Sequence, residues 1–327
     1  MNKNLKKRFA TAAILMILGA VLFVAVMMAF DWDFTRLSTM TYEASAHEVQ
    51  DSFRHISIIT EGADIVLLPS EDEKCRVICF EQANAKHTVA VQEDRLSIDM
   101  KDEREWYEYV GIHFNRSKIA VHLPMGAYDS LSILSSTGNV EIPGDFTFER
   151  VTIEESTGDV ICCASVSEAI RIKTTTGDIR VENVSAGTID LSVSTGGIIA
   201  SKIVSGGEMK TYVSTGRVSM EDIRCETFLS DGSTGDISLK HVTAGEMLSV
   251  ERSTGDVQLE SCDAAEIFIK TGTGDVTGSL LSDKIFITKS STGYVDVPGS
   301  TTGGKCEIRT ATGDIRIRLA ADESFGN

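Results

Sequence analysis

Apolar residues alternate with polar ones on both sides of a Thr-Gly pair, and that pair returns every 19 or 20 residues from Ser135 onward. Its glycines are Gly138, Gly158, Gly177, Gly196, Gly216, Gly235, Gly255, Gly274, Gly293 and Gly313. Two positions after each stands a β-branched residue such as Val140, Val160, Ile179 or Ile315, and four after comes Ile142, Cys162, Val181 or Leu239. Five and seven before, Ile153 and Val151 or Ile172 and Ile170 continue the alternation. Period two around a glycine corner predicts short half-buried strands, and no sustained 3.6-residue period competes with it.

One such coil cannot bury its own inner face. Ten copies at a fixed interval therefore predict an all-β parallel β-solenoid (β-helix) of about ten 19–20-residue coils, each pairing with the copies above and below. At ~4.8 Å per coil the rod would run about 50 Å. The general preference for right-handed parallel crossovers predicts right-handed winding. The threonine before every corner glycine is expected to lean inward and share hydrogen bonds between coils.

The pattern changes toward the N-terminus. Residues Phe9 to Phe30 carry no charge, long enough to cross a hydrocarbon core of ~30 Å as a transmembrane helix. Lys3, Lys6, Lys7 and Arg8 precede this run and Asp31 and Asp33 follow it. That asymmetry predicts a single-pass anchor in a bacterial cell membrane, N-terminus cytoplasmic and the rest outside. A cleaved signal peptide is the competing reading, but its apolar region is shorter and ends in a small-x-small site, whereas Met27-Met28-Ala29-Phe30 is a poor one. Residues 1–8 then form a basic cytoplasmic start, 31–52 a polar spacer, 53–130 a β-rich capping region or atypical first coils, 131–319 the repeats, and 320–327 a polar tail. Within the capping region Trp106, Tyr107, Tyr109 and Phe114 form the densest aromatic group, which would plug the open end of the rod or serve as a binding hot spot.

A formal net charge of −17 repels phosphate backbones, so nucleic acid is a poor partner. Seven cysteines, an odd count without a CxxC pair, argue against a complete disulfide framework. Cys162, Cys262 and Cys306 fall in register positions that other coils fill with valine, isoleucine or leucine, and Cys225 takes a corner slot held elsewhere by Ala186, Ala244 or Ala264. Buried thiols filling core volume account for them.

The turns "STGDV" at Ser156–Val160 and Ser253–Val257 and "TTGDI" at Thr175–Ile179 belong to a recognisable type, as do "TEGADIVLLPSEDEKC" from Thr60 and "VHLP" from Val121. Over Phe53 to Leu319 the chain resembles a bacterial envelope family of membrane-anchored β-strand-repeat proteins, a domain of unknown function carrying the label "putative adhesin". The resemblance implies a surface-exposed, non-catalytic protein and supplies no binding residues.

The sharpest candidate chemistry is acidic. Asp159, Asp178, Asp236, Asp256, Asp275 and Asp314 each follow a corner glycine, a carboxylate ladder that could hold calcium through oxygen ligands. Aspartate is also a favoured turn residue. Asn139, Gly197, Arg217 and Tyr294 interrupt the row, and turn chemistry is the plainer reading. Four positions before the glycines run Glu154, Lys173, Ser192, Tyr212, Asp231, Glu251, Lys270, Lys289 and Arg309, a mixed-charge outer face. Adjacent Glu154 and Glu155 should point to opposite faces, which disfavours an acid/base pair. The six histidines show no HExxH spacing, and no GxSxG or P-loop motif occurs. No cofactor is required. The expectation is a non-enzymatic surface scaffold or adhesin-like protein that meets cell-wall polymer or an envelope protein. The alternative is an envelope-stress or signalling accessory that contacts a membrane partner through the anchor and the Trp106 region.

Overall fold

The computed structural model describes residues 3–29, 31–32, 42–102 and 117–320. Lys3–Ala29 form helix α1, and Thr11–Ala29 within it is long and apolar enough to cross a membrane. Most of its large side chains, Ile14, Leu18 and Phe23 among them, are more than half exposed, while Met27 near its end is buried. A helix apolar on all sides whose side chains, Met27 apart, stay exposed among the described residues suits lipid better than a protein core.

The rest is one continuous sheet system wound into a parallel β-solenoid. In the first coils a long strand reaches the corner glycine and a short one leaves it, as in Thr147–Thr157 followed by Val160–Cys162, whereas Val218–Thr234, Ile237–Thr254 and Val257–Thr273 each run unbroken from one corner to the next. Neighbouring coils pair in parallel and like residues stack: Val151 lies between Leu131 and Ile170, and Val160 between Val140 and Ile179. The inner positions are almost completely buried, from Ile56 at one end to Ile317 at the other. Each buried aliphatic side chain contributes ~1.5–3 kcal/mol, so the stack, not the single coil, is the stable unit. The ten corner glycines all have positive φ, between 124° and 158°. At Gly216 a Cβ would also collide with the carbonyl of Gly196 one coil away, so both backbone conformation and coil spacing require glycine there.

The two ends are built differently. Seven strands make the N-terminal cap: β1 (Tyr42–Val49), β2 (His55–Thr60), β3 (Ala63–Pro69), β4 (Cys75–Gln82), β5 (Ala85–Gln92), β6 (Arg95–Asp102) and β7 (Ser117–Leu123). Strands β2 and β3 form a coil with Ala63 in the glycine slot, and this coil pairs directly with Ala127–Thr137 and Val140–Ile142. The later strands β6 and β7 stack on its other side, so coil order along the rod differs from chain order. Antiparallel β5 then covers β6, and antiparallel β4 and β1 cover β7. The spacer expected over residues 31–52 therefore contains a strand, β1, whose main chain closes the outer edge of β4.

The C-terminal end shows the same departure. Gly304–Thr312 and Ile315–Leu319, the last coil in sequence, lie between the coil of Gly274 and the coil of Gly293. The outermost strand is thus Lys284–Thr292, with Ile285 44 % and Ile287 48 % exposed.

Candidate functional site

The corner that carries the glycines also carries most of the polar chemistry. Three positions before each glycine the side chain points inward. Register places Thr60, Ser135, Glu155, Thr174, Val193, Val213, Gly232, Arg252, Thr271, Thr310 and Ser290 in one column along the rod. The hydroxyl ladder lies here. Thr271 Oγ1 donates to the Gly255 carbonyl at 3.1 Å, Thr310 Oγ1 to Gly274 at 3.1 Å, and Ser290 Oγ to Gly313 at 2.9 Å. The threonines directly before the glycines, expected to lean inward, instead face solvent, Thr157, Thr176 and Thr273 among them. They bond between coils through their backbone carbonyls, as when Gly138 N donates to Thr157 O at 3.0 Å. Strand alternation alone would turn them inward with the slot two positions earlier, but they lie past the end of the pleat, where the corner has already turned.

Two charged residues occupy the column. Glu155 is 4 % exposed while Glu154 faces out, the split that alternation predicts. Neither carboxylate oxygen of Glu155 makes a well-formed hydrogen bond, and burial pushes its pKa up to about 7 against the pull of the Ser135 hydroxyl. Arg252 is also 4 % exposed. Its Nη1 donates to the Val213 carbonyl at 2.8 Å, while Nε and Nη2 find no partner among the described residues. Burial lowers its pKa, with Asp231 acting in the opposite sense. The guanidinium lies over Gly232, where a Cβ would collide with it.

Directly outside Arg252 a groove of about 830 Å³ crosses several coils, lined by Tyr212, Asp231, Glu251, Lys270 and Arg309 of the mixed-charge row. Lys270 pairs with Glu251 at 3.3 Å and Arg309 with Glu307, which confirms charge pairing on this face. The groove therefore offers an aromatic ring and both signs of charge above a buried arginine. Arg252 was missed in the sequence because most copies hold a hydroxyl or aliphatic residue in its slot; a lone long cation in an inward position is the signal.

The aspartates form a ladder of main-chain acceptors. Asp159 Oδ1 accepts from Asp178 N at 2.8 Å, Asp236 Oδ1 from Asp256 N at 3.0 Å, Asp256 Oδ1 from Asp275 N at 2.8 Å, and Asp275 Oδ1 from Asp314 N at 2.7 Å. Asn139 is no interruption: its Oδ1 accepts from Asp159 N at 3.0 Å, and Asp64 Oδ1 of the cap accepts from Asn139 N at 2.9 Å. Asp178 likewise takes Gly197 N at 2.7 Å, and Asp314 takes Tyr294 N at 2.7 Å. Each of the six aspartates thus commits one carboxylate oxygen to a neighbouring coil's amide.

All seven cysteines are free and all but Cys163 are buried. Burial pushes the pKa of Cys75, Cys79, Cys162, Cys225 and Cys306 up to about 12, as expected of core thiols. Trp106, Tyr107, Tyr109 and Phe114 lie outside the described residues. Among the described residues, Tyr128 packs against Phe53, Phe146 and Phe148 at ring distances of 5.8–6.5 Å, an aromatic cluster at the cap end of the core.

Fold and site together define a repeat-built parallel β-solenoid behind an apolar helix. The family model Toastrack DUF4097 matches residues 53–212 and 204–327, and the chain belongs to that family. No curated protein sequence matches it. Among solved structures it is similar to a putative lipid binding protein from Parabacteroides distasonis (13 % identity, TM-score 0.45, covering 84 % of this chain and 97 % of that one). A putative adhesin from the same organism is also similar (11 %, 0.42, 85 % and 98 %), as is one from Parabacteroides merdae (10 %, 0.37, 86 % and 98 %).

Proposed function

We propose that the chain is a non-enzymatic surface scaffold, held in the membrane by α1, that presents the solenoid outside the cell and takes a cell-wall polymer in the Arg252 groove. The groove carries this reading. It runs across several coils, is open to solvent, and combines the Tyr212 ring with Lys270 and Arg309 above the buried Arg252. A flat ring and fixed charges of both signs suit a repeating polar chain bearing carboxylates and amines. The basic residues before Phe9 and the acidic ones after it support a cytoplasmic N-terminus.

Co-sedimentation of the full chain in detergent with purified cell-wall sacculi tests the reading. Saturable pelleting, weakened at least tenfold in a Lys270→Glu/Arg309→Glu variant, is expected. Absence of pelleting, or equal pelleting of wild type and variant, would overturn the groove as the polymer site. A parallel arm with calcium reads whether the aspartate ladder also takes an ion through its uncommitted oxygens.

A further inference from the structure

The cap holds a second constellation, remote in kind from the groove. Cys79 and Glu81 are two residues apart on β4, so both side chains face the interior, and His87 meets them from β5 across the hairpin. They are 0 %, 2 % and 4 % exposed. A ligand-type atom from each lies within 4.8 Å of the other two, and among the described residues no other cysteine, histidine or carboxylate trio comes so close. His87 Nδ1 is 2.6 Å from Glu81 Oε2, while His87 Nε2 is 3.0 Å from Thr60 Oγ1. Ser45 Oγ on β1 donates to Glu81 Oε1 at 3.0 Å.

We propose that Cys79, Glu81 and His87 bind a thiophilic transition-metal ion of the zinc class. Sulfur, carboxylate oxygen and imidazole nitrogen form a donor set that such ions take. A divalent ion with one thiolate and one carboxylate is electrically neutral, which suits a site from which water is excluded. The outer partners already stand in place: with its proton on Nε2 toward Thr60, His87 turns the Nδ1 lone pair to the ion, and Ser45 orients the carboxylate. On binding, the Cys79 thiol gives its proton to solvent and the sulfur forms the metal bond, so uptake releases one proton. A cavity of about 260 Å³, lined by Thr60, Gln82, His87 and Met100, provides a route inward. Gln82 Oε1 in its wall is buried without a partner among the described residues, an orphaned oxygen acceptor. The ion would tie β4 to β5 within the hairpin.

The test uses the full chain in detergent, stripped of metal and titrated with Co²⁺ and then Zn²⁺. One equivalent of Co²⁺ should give a thiolate-to-metal charge-transfer band that Zn²⁺ abolishes. The band should vanish in Cys79→Ala and persist in Cys163→Ser. Thr60→Val and Ser45→Ala, which leave all three ligands in place, should weaken binding ~10–100-fold. No thiolate band in the wild-type protein would overturn the proposal without recourse to any variant. A band that survives in Cys79→Ala, or affinity unchanged in both outer variants, would overturn it equally.

Discussion

The middle of the rod and its two ends obey the same side-chain rules but different rules of succession. Between Thr147 and Thr273 each coil stacks on the one before it in sequence, and glycine, aspartate and inner aliphatic residues align from coil to coil. At the N-terminal end the coil of β2 and β3 slips between β6–β7 and the coil of Gly138; at the C-terminal end the coil of Gly313 slips between those of Gly274 and Gly293. Repeats alike enough to stack in any order leave the order to the connections. The longer excursions at the ends permit an exchange that the short middle connections forbid. The exchange ties each end down, because a terminal coil held between two others cannot peel away alone.

The largest expected effect tests that order directly. Thr273 and Thr312 are paired neighbours, whereas Thr292 lies one coil further out, and all three are exposed. A Thr273→Cys/Thr312→Cys variant should oxidise to a disulfide nearly completely, because adjacent strands at ~4.8 Å fall within disulfide reach. Thr273→Cys/Thr292→Cys should not, and thiol titration with mass spectrometry distinguishes the two. The reverse result would restore chain order at this end.

Next in size are the corner glycines of the middle. Gly216→Ala should cost about 3 kcal/mol or more in urea unfolding, from positive φ and collision with the Gly196 carbonyl together. Gly299→Ala near the end, where nothing stands within 4 Å, should be close to neutral.

Glu155 makes the middle pH-sensitive. Its folded pKa of about 7 exceeds the ordinary 4.5 because burial penalises the charged form, so the folded state holds its proton more tightly than the unfolded one. Stability should therefore fall as pH rises from about 4.5 to about 7, by roughly 3 kcal/mol at most, and level off above. Glu155→Gln should flatten that window in denaturation curves taken across it.

Arg252→Leu should stabilise the rod by about 1–3 kcal/mol, since two unpartnered buried donors disappear. The same variant should lose sacculus binding, so a gain in thermal midpoint accompanied by lost pelleting would separate the binding role of Arg252 from its structural one. Smallest of all, Asp256→Ala should cost ~1 kcal/mol by removing the acceptor for Asp275 N, whereas Asp256→Asn should be nearly silent because Asn139 already does that work with an amide oxygen.

Sequence alone determined the solenoid, its repeat length, the inner and outer faces of each strand, the apolar helix and the burial of the cysteines. All of these follow from periodicity, because strand alternation and a recurring glycine are local constraints that every copy repeats. Tertiary structure decided what depends on neighbours. It moved the hydroxyl ladder from the threonine beside the glycine to the slot two positions earlier, since only the turn geometry shows where the pleat ends. It recruited β1 from a stretch that reads as a spacer, because edge pairing needs main-chain groups and no particular side chains. It set the order of the coils at both ends. And it gathered Cys79, Glu81 and His87, which no repeat pattern announces, and it laid the Arg252 guanidinium over Gly232, a contact that packing alone decides.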